Sequence, residues 1–102
     1  MGTFIKVAEK KNLPSGQAVA VKVNGKEIAL FNVGGQYYAI DDACTHAGGS
    51  LSEGVIDGTT VICPWHGAVF NITNGEVLGD PAPEGVKSYK VLVEGEEIKV
   101  EA

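Results

Sequence analysis

Cys44-Thr45-His46 and Cys63-Pro64-Trp65-His66 use every cysteine and every histidine of this 102-residue chain. Sixteen residues lie between His46 and Cys63. Two thiolates and two imidazoles, offered as Cys-x-His and Cys-x-x-His, can hold a [2Fe–2S] cluster in which two imidazoles replace two thiolates on one iron. That replacement raises the reduction potential above that of an all-cysteine cluster, so the chemistry indicated is the movement of single electrons. The same four residues could instead hold one zinc ion. Structural zinc of the Cys₂His₂ type usually takes a pair of cysteines and a separate pair of histidines. Here each segment mixes one of each, which suits two metals better than one. A third reading leaves two buried, unligated cysteines with incidental histidines. On the first reading Cys44, His46, Cys63 and His66 are the cofactor-binding and metal-binding residues, and no residue is catalytic.

Strands must position these residues, because helix signals are weak: no apolar 3.6-residue pattern lasts three turns. Thr3 to Ala8 reads as a first strand. Gln17 to Val23 alternates, with Val19, Val21 and Val23 on one face. Asn24-Gly25 is a strong two-residue hairpin signal, and Glu27 to Val33 continues as the partner strand. Gly34-Gly35 makes the next turn and Gln36 to Ile40 returns. Short strands are expected near Thr59 to Cys63 and Ala68 to Ile72. Val86 to Val93 and Glu97 to Glu101 read as a final hairpin around Glu94-Gly95, with Ile98 and Val100 inward. The expectation is an all-β protein, an antiparallel β-sandwich or partly open barrel. The segment 42–80 is rich in Gly, Thr, Ser and Asn and too poor in apolar residues for a core of its own. It reads as a metal-binding subdomain inserted into a base made of 1–41 and 81–102, poorly ordered without its metal.

A chain of this length makes one domain with a core large enough to fold alone. Met1 to Lys11 lacks the hydrophobic stretch of a signal peptide, and no apolar run is long enough to cross a bilayer. With both cysteines claimed by a metal, no disulfide is expected, and a cytoplasmic location follows. All eight positive charges are lysines, and none lies between Glu27 and Glu84. That stretch holds eight acids: Glu27, Asp41, Asp42, Glu53, Asp57, Glu76, Asp80 and Glu84. It is a negative pole in a chain of net charge −5. Nucleic acid and anionic membrane are poor partners for it. Either the acids merely solvate a small protein, or they steer a partner with a basic docking patch.

The two ligand motifs resemble those of the Rieske iron–sulfur family. Gly48 after the first pair and Gly67 after the second add to the likeness. So do Phe70, Gly75 and the run Gly79-Asp80-Pro81-Ala82-Pro83, which is similar to the proline loop that covers the cluster in that family. The likeness spans about residues 40 to 84 and is strongest to soluble Rieske-type ferredoxins that feed bacterial oxygenases. It implies a Rieske-type fold and one [2Fe–2S] cluster. Cys44 and Cys63 would be thiolate ligands of the inner iron, and His46 and His66 imidazole ligands of the outer one. Gly48, Gly49 and Gly67 would let backbone N–H groups approach the sulfur atoms. Trp65 would either pack over the base or line the partner-facing surface.

The resemblance also implies the partners: an NAD(P)H-dependent flavoprotein ferredoxin reductase as donor and a terminal oxygenase as acceptor. A ring-hydroxylating dioxygenase is the expected acceptor and a di-iron monooxygenase the alternative. A small subunit of nitrite reductase is a further alternative, since it shares the fold. The chain is not itself expected to be an enzyme, because a terminal oxygenase needs a separate iron and no histidine is left for one. A monomer is the expectation for a shuttle that exposes its cluster to two partners in turn. Relatives in bc-type complexes carry a disulfide between the ligand loops, but the matching positions here are Gly49 and Trp65. Those relatives also carry a Ser and a Tyr whose hydroxyls donate toward sulfur, but here Ala68 and Phe70 stand in their places. Lost donors and surrounding acids both disfavour an added electron, so the expected potential is at the low end of the range, about −150 mV. It should fall at high pH as the ligating imidazoles lose their second N–H protons.

Overall fold

In the computed structural model, residues 3–42, 50–63, 67–79 and 85–101 are described. Eleven strands occur among them: β1 (Phe4–Glu9), β2 (Gln17–Val23), β3 (Lys26–Val33), β4 (Gln36–Asp41), β5 (Val55–Asp57), β6 (Thr60–Ile62), β7 (Val69–Asn71), β8 (Val77–Gly79), β9 (Ser88–Tyr89), β10 (Val91–Glu94) and β11 (Glu97–Glu101). They form three sheets, ordered β1-β11-β10, β2-β3-β4-β9 and β5-β6-β7-β8, with every pairing antiparallel. Among the described residues no sheet closes on itself, so the fold is a layered all-β structure and not a closed barrel.

The turns follow from residue chemistry. Asn24 and Gly25 both take positive φ, 51° and 82°, which is what a two-residue turn of type I′ requires. That turn fixes the register Val23↔Lys26 through Gln17↔Asn32. A slip by one residue would exchange the two faces of β3.

Strand β3 is buried on both faces, and each face serves a different core. Ala29 and Phe31 pack with Ile40, Leu51, Val61, Cys63, Ala68, Phe70, Ile72 and Val86. Ile28 and Leu30 pack with Leu13, Val23, Ala39, Ile98 and Val100. The β2-β3-β4-β9 sheet is therefore a middle layer. The β1-β11-β10 sheet covers one face, and the β5-β6-β7-β8 sheet covers the other.

Two details depart from expectation. Val19, Val21 and Val23 share a face, but burial falls along it: Val23 is buried and Val19 is 37% exposed. Strand β2 is an edge of its sheet, with a neighbour on one side only. The stretch read as one strand, Val86 to Val93, is two strands in different sheets. Tyr89 pairs with Ala39 in the middle layer, while Val91 pairs with Val100 in the outer one. Lys90 is the crossing point, and the Asp41 contacts described below hold the first half to β4.

Candidate functional site

Cys63 follows directly on β6 and is buried in the core shared by the middle layer and the β5-β6-β7-β8 sheet. Its backbone N–H donates to the carbonyl of Ala68 at 2.7 Å. That bond extends the β6–β7 ladder one step past its last pair, Ile62↔Val69, and joins the two residues that flank 64–67, the segment of the second candidate pair. Gly67, at φ 75°, supplies the left-handed turn that brings the chain back.

Asp42 joins the residues on either side of 43–49, the segment of the first candidate pair. This residue is buried, and its Oδ1 accepts the Ser52 N–H at 2.8 Å. Its carbonyl accepts the Leu51 N–H at 2.7 Å, and its own N–H donates to the Glu27 carbonyl at 3.1 Å. Leu51 belongs to the same core as Cys63.

A third segment, 80–84, leaves from β8 and returns at Gly85 and Val86. Val86 N–H donates to the Gly75 carbonyl at 2.7 Å, and Gly75 N–H donates to the Asn71 carbonyl at 2.7 Å. A Cβ on Gly75 would lie 2.0 Å from the Val86 carbonyl oxygen. Only glycine permits this approach, the more so because φ there is +81°. Val86 too lies in the core that holds Cys63. The ends of all three segments thus converge on one apolar cluster.

Asp41, one residue earlier, performs the matching task on β9. Its Oδ1 accepts the Tyr89 hydroxyl at 2.5 Å and its Oδ2 the Lys87 N–H at 3.2 Å, while its own N–H donates to the Lys87 carbonyl at 2.9 Å. Burial, and then this bond to a carboxylate, push the Tyr89 phenol well above its ordinary value. The Lys87 ammonium lies 5.3 Å from the Tyr89 ring centroid.

Of the four sequence-predicted ligands, Cys63 is described and is buried where the segments converge. Cys44, His46 and His66 lie outside the described residues, as do Gly48, Gly49, Trp65, Asp80, Pro81 and Pro83. Among the described residues no group of three or more His, Cys, Asp or Glu side chains could hold a metal. The donor set fits a [2Fe–2S] cluster: two thiols and two imidazoles come from two segments whose anchored ends share one core. Ala68 and Phe70 are fully buried in that core and bring no hydroxyl to it. Sequence reasoning counted Asp41 and Asp42 only as acids of the negative pole. Both are structural, and the signal was their position as a pair immediately before the first ligand segment.

Residues 3–90 match the family described as the Rieske [2Fe–2S] domain. The chain belongs to that family. A curated relative from Ralstonia sp, the ferredoxin component of naphthalene 1,2-dioxygenase/salicylate 5-hydroxylase systems, is 41% identical over 91 residues, 89% of this chain and 88% of its own. The solved ferredoxin of carbazole 1,9a-dioxygenase from Nocardioides aromaticivorans IC177 superposes with a TM-score of 0.92 at 33% identity, covering 96% of both chains. A chain in the complex of reduced oxygenase and oxidised ferredoxin in carbazole 1,9a-dioxygenase matches with a TM-score of 0.91 at 33% identity, covering 99% of this chain and 94% of that one. This Rieske protein accordingly has the domain that holds one [2Fe–2S] cluster, and the relatives it resembles are ferredoxin components of dioxygenase systems. No helix among the described residues is long and apolar enough to cross a membrane.

Proposed function

We propose that this chain carries single electrons from an NAD(P)H-dependent flavoprotein ferredoxin reductase to the terminal oxygenase of a ring-hydroxylating dioxygenase system. Cys44 and Cys63 would hold the cluster as thiolates and His46 and His66 as imidazoles, within a subdomain of about 42–80 carried on the rest of the chain. When bound, the cluster supplies one-electron chemistry. The chain's own residues do the remainder. Asp42, the Cys63–Ala68 bond and Gly75 fix the ends of the segments around it. Leu51, Phe70 and Val86 exclude water from the side facing the core. Ala68 and Phe70 withhold hydroxyl donors, which favours a low potential.

The observation that carries this reading is the place of Cys63: buried, at the head of a pinned segment, in the core where the three segments begin and end. The ferredoxin components among its relatives support the choice of partners. A cytoplasmic, monomeric protein goes with it, since two thiols reserved for a cluster need a reducing compartment. The test is an EPR-monitored redox titration of anaerobically purified protein, with iron, zinc and acid-labile sulfide assayed alongside. A Rieske-type signal with a midpoint below zero, lost in Cys63→Ser and in His46→Ala, supports the reading. Zinc in place of iron and sulfide overturns it, and a strongly positive midpoint overturns the oxygenase assignment.

A further inference from the structure

The β5-β6-β7-β8 sheet has one face in the core and one face outward. Register aligns Ile56, Val61, Phe70 and Val77 across the four strands on the core side. The opposite face carries two rows. Asp57, Thr60 and Asn71 form the row farther from the ligand segment. Val55, Ile62, Val69 and Gly79 form the nearer one. Ile62 directly precedes Cys63, Val69 directly follows Ala68, and Gly79 leads into 80–84. A β-bulge opposite Val69 and Phe70 inserts Leu78 beside this row.

Val55 is 64% exposed and Leu78 52%, the two most exposed large hydrophobic side chains among the described residues. Neither they nor Ile62 and Val69 belong to either core. The outward face therefore turns from polar to apolar toward the cofactor, the reverse of what solubility alone would select. Exposed acids flank it along the chain: Glu53 and Asp57 stand two residues either side of Val55 and Glu76 two before Leu78, with no lysine or arginine between Lys26 and Lys87. An apolar centre with a charged rim is the anatomy of a protein–protein docking surface.

We propose that the Val55, Ile62, Val69 and Leu78 row is where the terminal oxygenase docks, through an apolar patch of its own rimmed by lysine or arginine. The inference rests on the electron-carrier reading above and names the surface that serves it. The side of the cluster sheet, and not the ligand segments alone, would then set affinity for the oxygenase, while the acids set the encounter rate.

The test is steady-state oxygenase turnover against ferredoxin concentration. The probes are the terminal oxygenases of the naphthalene and carbazole systems named above, whichever turns over with the unmodified protein. Val55→Ser/Leu78→Ser should raise KM for the ferredoxin about tenfold or more with kcat held within about twofold. Its EPR signal, midpoint potential and melting temperature should match those of the parent. Leu78→Lys, opposed to a basic rim, should raise KM further at low salt than at high salt. Leu92→Ser, an equally apolar exposed change on the β1-β11-β10 sheet, should leave KM unchanged. A KM within twofold of the parent for the double variant overturns the proposal. So does a loss of turnover that tracks a lowered melting temperature, which would make the row a packing element. If the unmodified protein shows no Rieske EPR signal, the carrier reading fails and this inference fails with it.

Discussion

The Tyr89 hydroxyl donates a 2.5 Å hydrogen bond to Asp41 Oδ1, tying the strand that leads into the first ligand segment to the strand that follows residues 80–84. The two residues are 48 positions apart in the chain. With Asp42 gripping Ser52, two consecutive carboxylates hold the far ends of two different segments. Tyr89 packs against the core that holds Ile98 and Val100, so the bond also joins the site to the β1-β11-β10 layer.

Tyr89→Phe should cost about 1 kcal/mol at neutral pH, the worth of one partly buried hydrogen bond. The pH dependence is more diagnostic. The Tyr89 phenol is raised above its ordinary value of about 10, so the folded state keeps a proton that the unfolded state gives up. The stabilisation is fully present below pH ~10 and is lost as pH rises from there toward the folded value. Thermal melts between pH 7 and 11 should show the parent losing stability more steeply above pH ~10 than Tyr89→Phe. Parallel curves would refute the linkage. Lysine titration is common to both proteins and cancels in the comparison.

Asp42 is tested by a pair of changes. Asp42→Ala leaves the Ser52 N–H without its acceptor in a partly buried place, which costs about 1 kcal/mol or more. Asp42→Asn keeps an oxygen there and should cost less. Cluster loss under a chelator, followed by visible absorbance, should be faster in the alanine variant than in the asparagine variant. Equal rates would mean that the side chain does not hold the segment.

Gly75 and Gly25 separate two effects of glycine. Both have φ near +80°, but a Cβ at Gly25 meets open space while one at Gly75 meets the Val86 carbonyl. Gly25→Ala should cost about 1–2 kcal/mol from the left-handed backbone alone. Gly75→Ala carries the same strain plus the clash, and should cost about 3 kcal/mol or more. Urea titrations of the two variants measure the difference directly. Similar midpoints would show that the Gly75–Val86 approach can relax.

These contrasts mark what could be read from residues alone. Local rules set the β2–β3 and β3–β4 hairpins: Asn24-Gly25 demands its turn, and alternation sets each face. The last hairpin was legible for the same reason, with Ile98 and Val100 inward as expected. What local rules could not give was the third dimension. Ile28-Ala29-Leu30-Phe31 reads equally as one buried strand or as half of a sandwich, and only the layer order shows that it feeds two cores. Strands β5 and β8 are three residues long and too short to show a period. They exist because β6 and β7 offer them hydrogen-bonding edges. The break at Lys90 depends on Asp41, 49 residues away, and has no sequence signal. At the site, the two Cys–His pairs and their spacing were explicit in the chain. The clamps were not, because an aspartate that accepts backbone N–H groups looks the same in sequence as one that solvates a surface.

Ala68 offers the sharpest test of the potential. It is fully buried in the core with Cys63, and its carbonyl accepts the Cys63 N–H, so its Cβ stands within the wall around that sulfur's residue. A hydroxyl introduced there by Ala68→Ser adds a donor to that wall. Donors to sulfur stabilise the more negative, reduced state and therefore raise the midpoint. If the new bond favours the reduced form by ~1 kcal/mol, the one-electron midpoint rises by about 40 mV. The parent should titrate near the low end of the Rieske range, about −150 mV, and Ala68→Ser above it. Redox titration of both proteins under the same buffer decides the matter. A parent midpoint well above zero would mean that another group already supplies the donor. An unchanged midpoint in a variant that folds and holds its cluster would mean that position 68 does not face the sulfur.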